Sequence, residues 1–381
     1  MRVGVLTTGR QDWGILRSTC HALARDPAFQ LVLIAGGMHL AARFGRTVTM
    51  LEEDGLPISE ALSWIPDGAP VSAADESAEA LRVLAAAFRR QRPDALLLVG
   101  DRYETMAAAM AATLERIPIA HLHGGEETEG AFDNALRHAI TKLAHLHLTS
   151  HETHAARVRA LGEDARAVHV VGAPGLDNAR RTDLPDRAAL EGTLGLALRA
   201  PVVLVTLHPA TLGDDPAREA AAVTAAMDRV PATYVITLPN SDPGSAATRA
   251  VLVAAVAGRA DRVAVDALGE RRYWAMLGHA DAMLGNSSSA LIEAPVFGLP
   301  AVNVGIRQRG RLRGANLIDA PPDAEAIAIA LRRALSPAFR AGLAGTTSPY
   351  GDGRSAARIV EILRAWTPPH PPTKPAIPVS A

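Results

Sequence analysis

Residues 95–104 read Ala-Leu-Leu-Leu-Val-Gly-Asp-Arg-Tyr-Glu. Five apolar residues without alternation leave no face for water, so they describe a strand buried on both sides, as in a parallel sheet. A glycine ends the run, and an aspartate stands at its mouth. That aspartate, Asp101, is placed either for chemistry or to cap a following helix by accepting bonds from its first amides. The same unit recurs along the chain. Comparable runs are Val3–Thr7, Leu31–Ala35, Ile117–His121, His145–Thr149 and Val168–Val171. They continue with Val202–Thr206, Thr233–Thr237, Arg262–Val265, Ala282–Leu284 and Ala301–Val304. Between them lie segments such as Ala78–Arg90 and Asp323–Leu335, good helix formers with an apolar stripe.

Strand–helix alternation of this kind predicts α/β architecture with doubly wound parallel sheets. The pattern runs once to residue 172 and restarts near 200, so we expect two Rossmann-like domains facing a central cleft; a closed barrel is the alternative. The expected division is 1–172 for the first domain, 173–199 for a linker and 200–353 for the second domain. A helix over 354–366 should pack back on the first domain, and the proline-rich 367–381 should form a loose tail. A length of 381 residues fits two domains of roughly 150–200 residues each.

Charge narrows the partners. Lys+Arg total 39 and Asp+Glu 40, so no global field recruits nucleic acid or an acidic membrane. The single cysteine, Cys20, rules out an internal disulfide framework and suits a reducing cytosol. The apolar run at the N-terminus is too short for a secretory signal, and no uninterrupted run approaches the roughly 18 residues of a membrane span. A soluble cytoplasmic protein is expected.

In open α/β sheets ligands sit beyond the C-terminal strand ends, so the polar residues after each run carry the signal. After the first come Gly9, Arg10 and Asp12, where an arginine can grip phosphate or pair with the aspartate to brace a turn. The dinucleotide spacing G-x-G-x-x-G is absent. After Ala95–Val99 come Asp101 and Arg102. The densest polar stretch is His121-Leu122-His123-Gly124-Gly125-Glu126, followed by Asp133, Arg137 and His138, a supply of acids and bases. Asp133 and Arg137 are spaced for a helical ion pair. The H-x-H spacing raises a metal, but no third ligand follows and none is expected. His208 ends a strand in the second half, and Asn240 lies in a turn-rich loop over the same edge. Gly285-Asn286-Ser287-Ser288-Ser289 leads into a helix whose free amides and serine hydroxyls would hold an anion, with Glu293 one turn in to reach a ribose. The reading as a serine cap with a glutamate partner stays open. Arg307, Gln308 and Arg311 surround a further glycine turn.

Taken together these motifs resemble the hydrolysing UDP-N-acetylglucosamine 2-epimerases, including bacterial enzymes of sialic and legionaminic acid biosynthesis. The resemblance is carried by G-R-Q-D-W-G (9–14), G-M-H-L (37–40), G-D-R-Y-E (100–104), H-L-H-G-G-E (121–126) and the stretch 133–147. It continues through L-H-P (207–209), P-N-S-D-P-G-S (239–245), G-N-S-S-S (285–289), R-Q-R-G-R (307–311) and Y-G-D-G (350–353).

It implies a GT-B-type fold and a reaction without a cofactor, in which UDP-GlcNAc and water give N-acetylmannosamine and UDP. UDP is eliminated to leave a 2-acetamidoglucal, which is then rehydrated. It implies Asp101, His123, Glu126 and Asp133 as the acid–base cluster and His208 as the histidine near the diphosphate. Ser287, Ser288 and Glu293 match phosphate and ribose contacts, with Arg10 on the diphosphate, and His39 and the 307–311 loop touch substrate. A homodimer or homotetramer is implied as well. His123 stands where some members carry glutamate, and Trp13 where tyrosine is usual, a change expected to alter the sugar pocket. The alternative substrate is UDP-N,N'-diacetylbacillosamine, the 2,4-diacetamido-2,4,6-trideoxyglucose nucleotide. A glycosyltransferase using a UDP-sugar and a silent nucleotide-sugar sensor are the readings of other classes.

Overall fold

The computed structural model describes residues 1–67, 71–127, 133–209, 215–239 and 244–374, with Arg43 and Asp133 described by backbone alone. The chain divides into two compact units. The described residues of Met1–Glu127, Ala131–Asn178 and Gly353–Ala381 form unit 1, and those of Ala179–Asp352 form unit 2.

Unit 1 is built on β1 (Arg2–Thr7), β2 (Gln30–Gly36), β3 (Ile58–Leu62), β4 (Ala95–Val99), β5 (Ile119–Leu122), β6 (Leu146–Thr149) and β7 (Val168–Val170). They pair in parallel in the order β3-β2-β1-β4-β5-β6-β7. Because β4 is buried along its length, neighbouring residues feed opposite layers. Leu97 and Val99 join Val3, Val5, Trp13 and Leu16 on one face, while Leu96 and Leu98 join Ile34, Leu84 and Phe88 on the other.

Unit 2 repeats the plan with β8 (Val202–Thr206), β9 (Thr233–Thr237), β10 (Arg262–Val265), β11 (Ala282–Gly285), β12 (Ala301–Val304) and β13 (Leu317–Ala320), ordered β10-β9-β8-β11-β12-β13. Both sheets are open, with edge strands at each end, which removes the closed-barrel alternative. Helices start where side chains accept their first amides: Ser72, Asp215 and Asp323 cap Ala73–Gln91, Pro216–Arg229 and Ala324–Leu335. Among the described residues no helix is long and apolar enough to cross a membrane.

Each sheet reverses direction at one place, between β1 and β4 in unit 1 and between β8 and β11 in unit 2. Loops leaving adjacent strands there run to opposite sides, which opens a crevice at the strand ends. The loops carrying Arg10, Asp101, His208 and Asn286–Ser288 all start at these two points.

The stretch expected to be a linker is structured and shared between the units. Asp177 accepts the amides of Ser355 (2.8 Å) and Ala356 (2.7 Å), starting the helix Ser355–Ala365, and Asn178 donates to the Gly14 carbonyl (2.6 Å). That helix buries Ile359, Val360 and Leu363 in the unit 1 core. The proline-rich stretch beyond it is described to Lys374. There the ammonium donates to the carbonyls of Thr141, Lys142 and Ala144, at 3.0, 2.8 and 2.6 Å, and pairs with Glu163 at 2.6 Å. These carbonyls end the helix Asp133–Leu143, where a cation is favoured.

Candidate active site

At the end of β4 the chain turns through Gly100, whose carbonyl accepts from His121 Nε2 at 2.8 Å. Burial pushes the His121 pKa down to about 3, so the ring is a neutral donor that fixes this turn. Asp101 follows, its carboxylate hydrogen-bonded to Arg137 Nη2. Arg137 is buried and also donates to the Glu126 carbonyl (2.7 Å) and to Asn134 Oδ1 (2.9 Å). It thus ties the ends of β4 and β5 to the helix Asp133–Leu143. The side chain of Asp133 lies outside the described residues.

His123, the first residue past β5, has φ +64, a left-handed conformation uncommon for a residue with a side chain. Its Nδ1 meets Glu126 Oε1 at 2.6 Å, and Nε2 is buried without a hydrogen-bond partner among the described residues. Ser150, just past β6, donates to the same Glu126 oxygen at 2.6 Å and meets His154 Nδ1 at 2.9 Å. Burial alone would raise the Glu126 pKa, but His123, His154 and Ser150 outweigh it and hold the carboxyl well below the usual carboxylate range. Gly125 makes the turn possible. It has φ +76, and a Cβ there would sit 2.3 Å from the His154 carbonyl oxygen. His138, on the next helix, keeps Nδ1 buried and without a partner among the described residues, and burial lowers its pKa.

Several residues expected at the ligand face inward instead. His39 is fully buried, with Nε2 on Thr7 Oγ1 and Nδ1 on Thr47 Oγ1, both at 2.9 Å, so neither nitrogen is available to substrate. Asp12 is buried and accepts from the Thr8 amide (2.9 Å) and hydroxyl (2.5 Å), bracing its own turn. Trp13 lies in the core with its indole N–H on Asp54 at 2.7 Å, so it shapes the core rather than a sugar pocket. Arg102 pairs at 2.8 Å with Glu104, in the first turn of the helix Tyr103–Leu114 that follows it, while Arg10 is exposed in the first helical turn after β1.

The buried histidines set an acid response. His39 and His154 are lowered from 6.5 to about 4, and His121 to about 3, in each case chiefly by burial. Between pH 6.5 and about 4 the unfolded chain therefore binds more protons than the folded one, and stability falls as pH is lowered through that window. Within unit 1, Asp12, raised by burial, opposes this over the carboxylate range, as do Glu219 and Glu293 in unit 2. We expect amide exchange in β4 and β5, corrected for its intrinsic rate, to speed up from pH 6.5 to about 4.5 more than in β8 and β11. Equal changes in both sheets would contradict this assignment.

In unit 2, Gly285 closes β11 with φ +134. Asn286 then clamps the loop after β8: its Oδ1 accepts the His208 amide and its Nδ2 donates to the His208 carbonyl, both at 2.8 Å. Its own carbonyl accepts from Gln308 Nε2 (2.7 Å) and Arg307 Nη1 (3.2 Å). Asn286 and the buried Gln308 thus hold the loops rather than present their amides to a ligand. Ser287 and Ser288 remain at the turn, but the helix they lead into is only Ser289–Ile292, stopped before Pro295. So short a helix supplies little macrodipole, and an anion here would rely on the serine hydroxyls and first amides. Glu293 is the C-cap of that turn, with Oε2 buried and unpartnered among the described residues, its pKa raised by burial with Arg311 opposing. An orphaned carboxylate oxygen of this kind suits ligand hydroxyls. Asn240 lies outside the described residues.

Sequence reasoning missed Ser150, His154 and Tyr273. Ser150 is the first residue after a buried strand, the position that singled out Asp101 and His123. Tyr273 lies on the helix Glu270–His279; burial and then the Glu293 carboxylate raise its pKa, opposed by the hydroxyls of Ser289, Thr206 and Ser287. No local pattern links it to residues fourteen or more positions away.

The chain matches the family model of UDP-N-acetylglucosamine 2-epimerase over residues 21–364. It is 32% identical over 321 residues to the hydrolysing GDP/UDP-N,N'-diacetylbacillosamine 2-epimerase of Campylobacter jejuni, covering 84% of each chain. It is 33% identical over 362 residues to the hydrolysing UDP-N,N'-diacetylbacillosamine 2-epimerase of Legionella pneumophila, covering 94% of each. The crystal structure of UDP-GlcNAc 2-epimerase from Neisseria meningitidis bound to UDP-GlcNAc shares the fold, with a TM-score of 0.82 at 17% identity over 95% of this chain and 99% of that one. Two parallel-sheet α/β units of GT-B type, strand-end residues in the expected order and similarity spanning most of each relative agree: this chain belongs to the UDP-N-acetylglucosamine 2-epimerase family, alongside its hydrolysing members.

Proposed function

We propose that the protein is a hydrolysing 2-epimerase of a UDP-2-acetamido sugar. The observation that carries this reading is the paired set at the ends of β4, β5 and β6: a His123–Glu126 dyad beside an Asp101–Arg137 ion pair. Moving a carbon-bound proton needs several titratable groups at one place, which a transferase or a sensor does not require. Ser287, Ser288, Glu293 and Tyr273 of unit 2, with His208, supply nucleotide contacts.

In the reaction the C2 proton is removed, the C1–oxygen bond breaks and UDP departs with the bonding electrons. This leaves a 2-acetamidoglucal. Water then returns hydroxyl to C1 and a proton to the opposite face of C2, so the sugar leaves inverted at C2 with no net redox change. For the sugar, the Campylobacter and Legionella relatives favour UDP-N,N'-diacetylbacillosamine over UDP-GlcNAc, which the motifs alone placed first. We place the enzyme in the cytoplasm, as a homodimer or homotetramer.

Incubation with each nucleotide sugar in deuterium oxide, followed by proton NMR, tests the reading. We expect UDP and the C2-inverted 2,4-diacetamido sugar, deuterated at C2, from the bacillosamine nucleotide. Turnover of UDP-GlcNAc alone would assign the other substrate. Silence with both would overturn the epimerase reading.

A further inference from the structure

We propose that His123 takes the C2 proton through Nε2, and that Glu126, steadied by Ser150, is the positioning carboxylate that fixes the ring for this task. The inference rests on the epimerase reading and deepens it, since neither the motifs nor the relatives name the base.

Donors and acceptors must match along this run of contacts. Glu126 Oε1 lies 2.6 Å from both His123 Nδ1 and Ser150 Oγ. An ionised carboxylate only accepts, so both neighbours must donate to it. The Ser150 hydroxyl has one proton, given to Glu126, and therefore accepts from His154 Nδ1–H at 2.9 Å. Every hydrogen bond in the chain from His154 through Ser150 runs toward Glu126, and His123 closes it by donating Nδ1–H. The neutral His123 ring then carries its lone pair on Nε2, the atom that is buried and unpartnered among the described residues.

A buried nitrogen without a partner is costly, and a non-glycine residue held at φ +64 adds strain. Two local costs at one side chain mark a position kept for function. The competing groups are less free. Glu126 Oε1 already accepts from two donors, and the Asp101 carboxylate is engaged by Arg137. In the elimination, the C2–H proton moves to Nε2, the C2–H electron pair forms the C1=C2 bond and UDP leaves with the C1–O pair. The imidazolium that forms is stabilised by Glu126 across the 2.6 Å contact, as a buried carboxylate stabilises a catalytic imidazolium elsewhere.

His123→Asn is the test variant, because asparagine tolerates the left-handed backbone. With UDP affinity and melting temperature kept near wild type, kcat should fall about a hundredfold or more, and added imidazole should restore at least about tenfold of the loss. A second variant, Glu126→Gln, leaves His123 in place. Its kcat should fall about tenfold or more with KM unchanged, and Glu126→Asp should recover part of it. His123→Asn activity within about tenfold of wild type, a loss that imidazole does not touch, or an unimpaired Glu126→Gln would overturn the assignment while leaving the epimerase reading intact. A wild type inert toward both nucleotide sugars would overturn both.

Discussion

Replacement of Asp101 by alanine is expected to lower kcat about a thousandfold or more, with UDP affinity within about threefold of wild type. Asp101 stands just past β4, its turn pinned by the neutral His121 ring, and its carboxylate meets the buried Arg137 guanidinium. Removal takes away a carboxylate at the proposed reacting centre and leaves Arg137 with less compensation for its charge, a change that usually costs several kcal/mol. Asp101→Asn separates the two effects, since the amide keeps the shape and can still accept from Arg137. Both variants should be slow, and the asparagine variant should melt closer to wild type. Rates come from release of UDP, and affinity from calorimetry. UDP is assigned to unit 2, so its binding should barely change. Turnover within about tenfold of wild type in both variants would remove Asp101 from the chemistry, and a protein without turnover to lose would be the sensor instead.

Gly285→Ala should destabilise unit 2 by about 3 kcal/mol or more. A Cβ at residue 285 would lie 2.0 Å from the Thr206 carbonyl oxygen, and φ +134 is closed to alanine in any case. The obstructing atom is backbone, directly across the β8–β11 ladder where Gly285 pairs with Thr206. Relief means separating two central strands, which would also release the Asn286 clamp on His208. For a unit of this size the loss corresponds to a fall in Tm of about 10 °C. Melting followed by scanning calorimetry checks it, together with UDP affinity, which should fall in parallel. A Tm within about 2 °C of wild type would show that the two strands can part at this point without cost.

How far the sequence could be read depended on where each residue lies relative to the core. The eleven strands recognisable as apolar runs all appear. The two that escaped, Ile58–Leu62 and Leu317–Ala320, are edge strands, half exposed, and carry Glu60 and Asp319 within their length. One wet side erases the unbroken apolar run, and four or five residues are too few for alternation to stand out. At the site, position after a buried strand led to Asp101, His123, Glu126 and His208. It did not distinguish side chains facing a ligand from those facing the core, so Asp12 was expected at the ligand, just as the resemblance placed His39 at substrate and Trp13 in the sugar pocket. Direction is set by tertiary packing that one strand's sequence does not encode. Pro295 was a readable stop that the helix after Ser288 obeys, whereas the alignment of Tyr273 with Glu293 needs the fold itself.

Unit 1 is discontinuous, and the helix Ser355–Ala365 belongs to it with unit 2 threaded in between. A ribosome emitting this chain from its N-terminus therefore completes unit 2 first. The half that bears Asp101 and His123 must wait, with part of its apolar face uncovered, until Ile359, Val360 and Leu363 emerge to close it. During that interval the nascent protein holds a finished unit 2 and an unfinished unit 1. A frameshift or premature stop late in the message thus strikes the half encoded first.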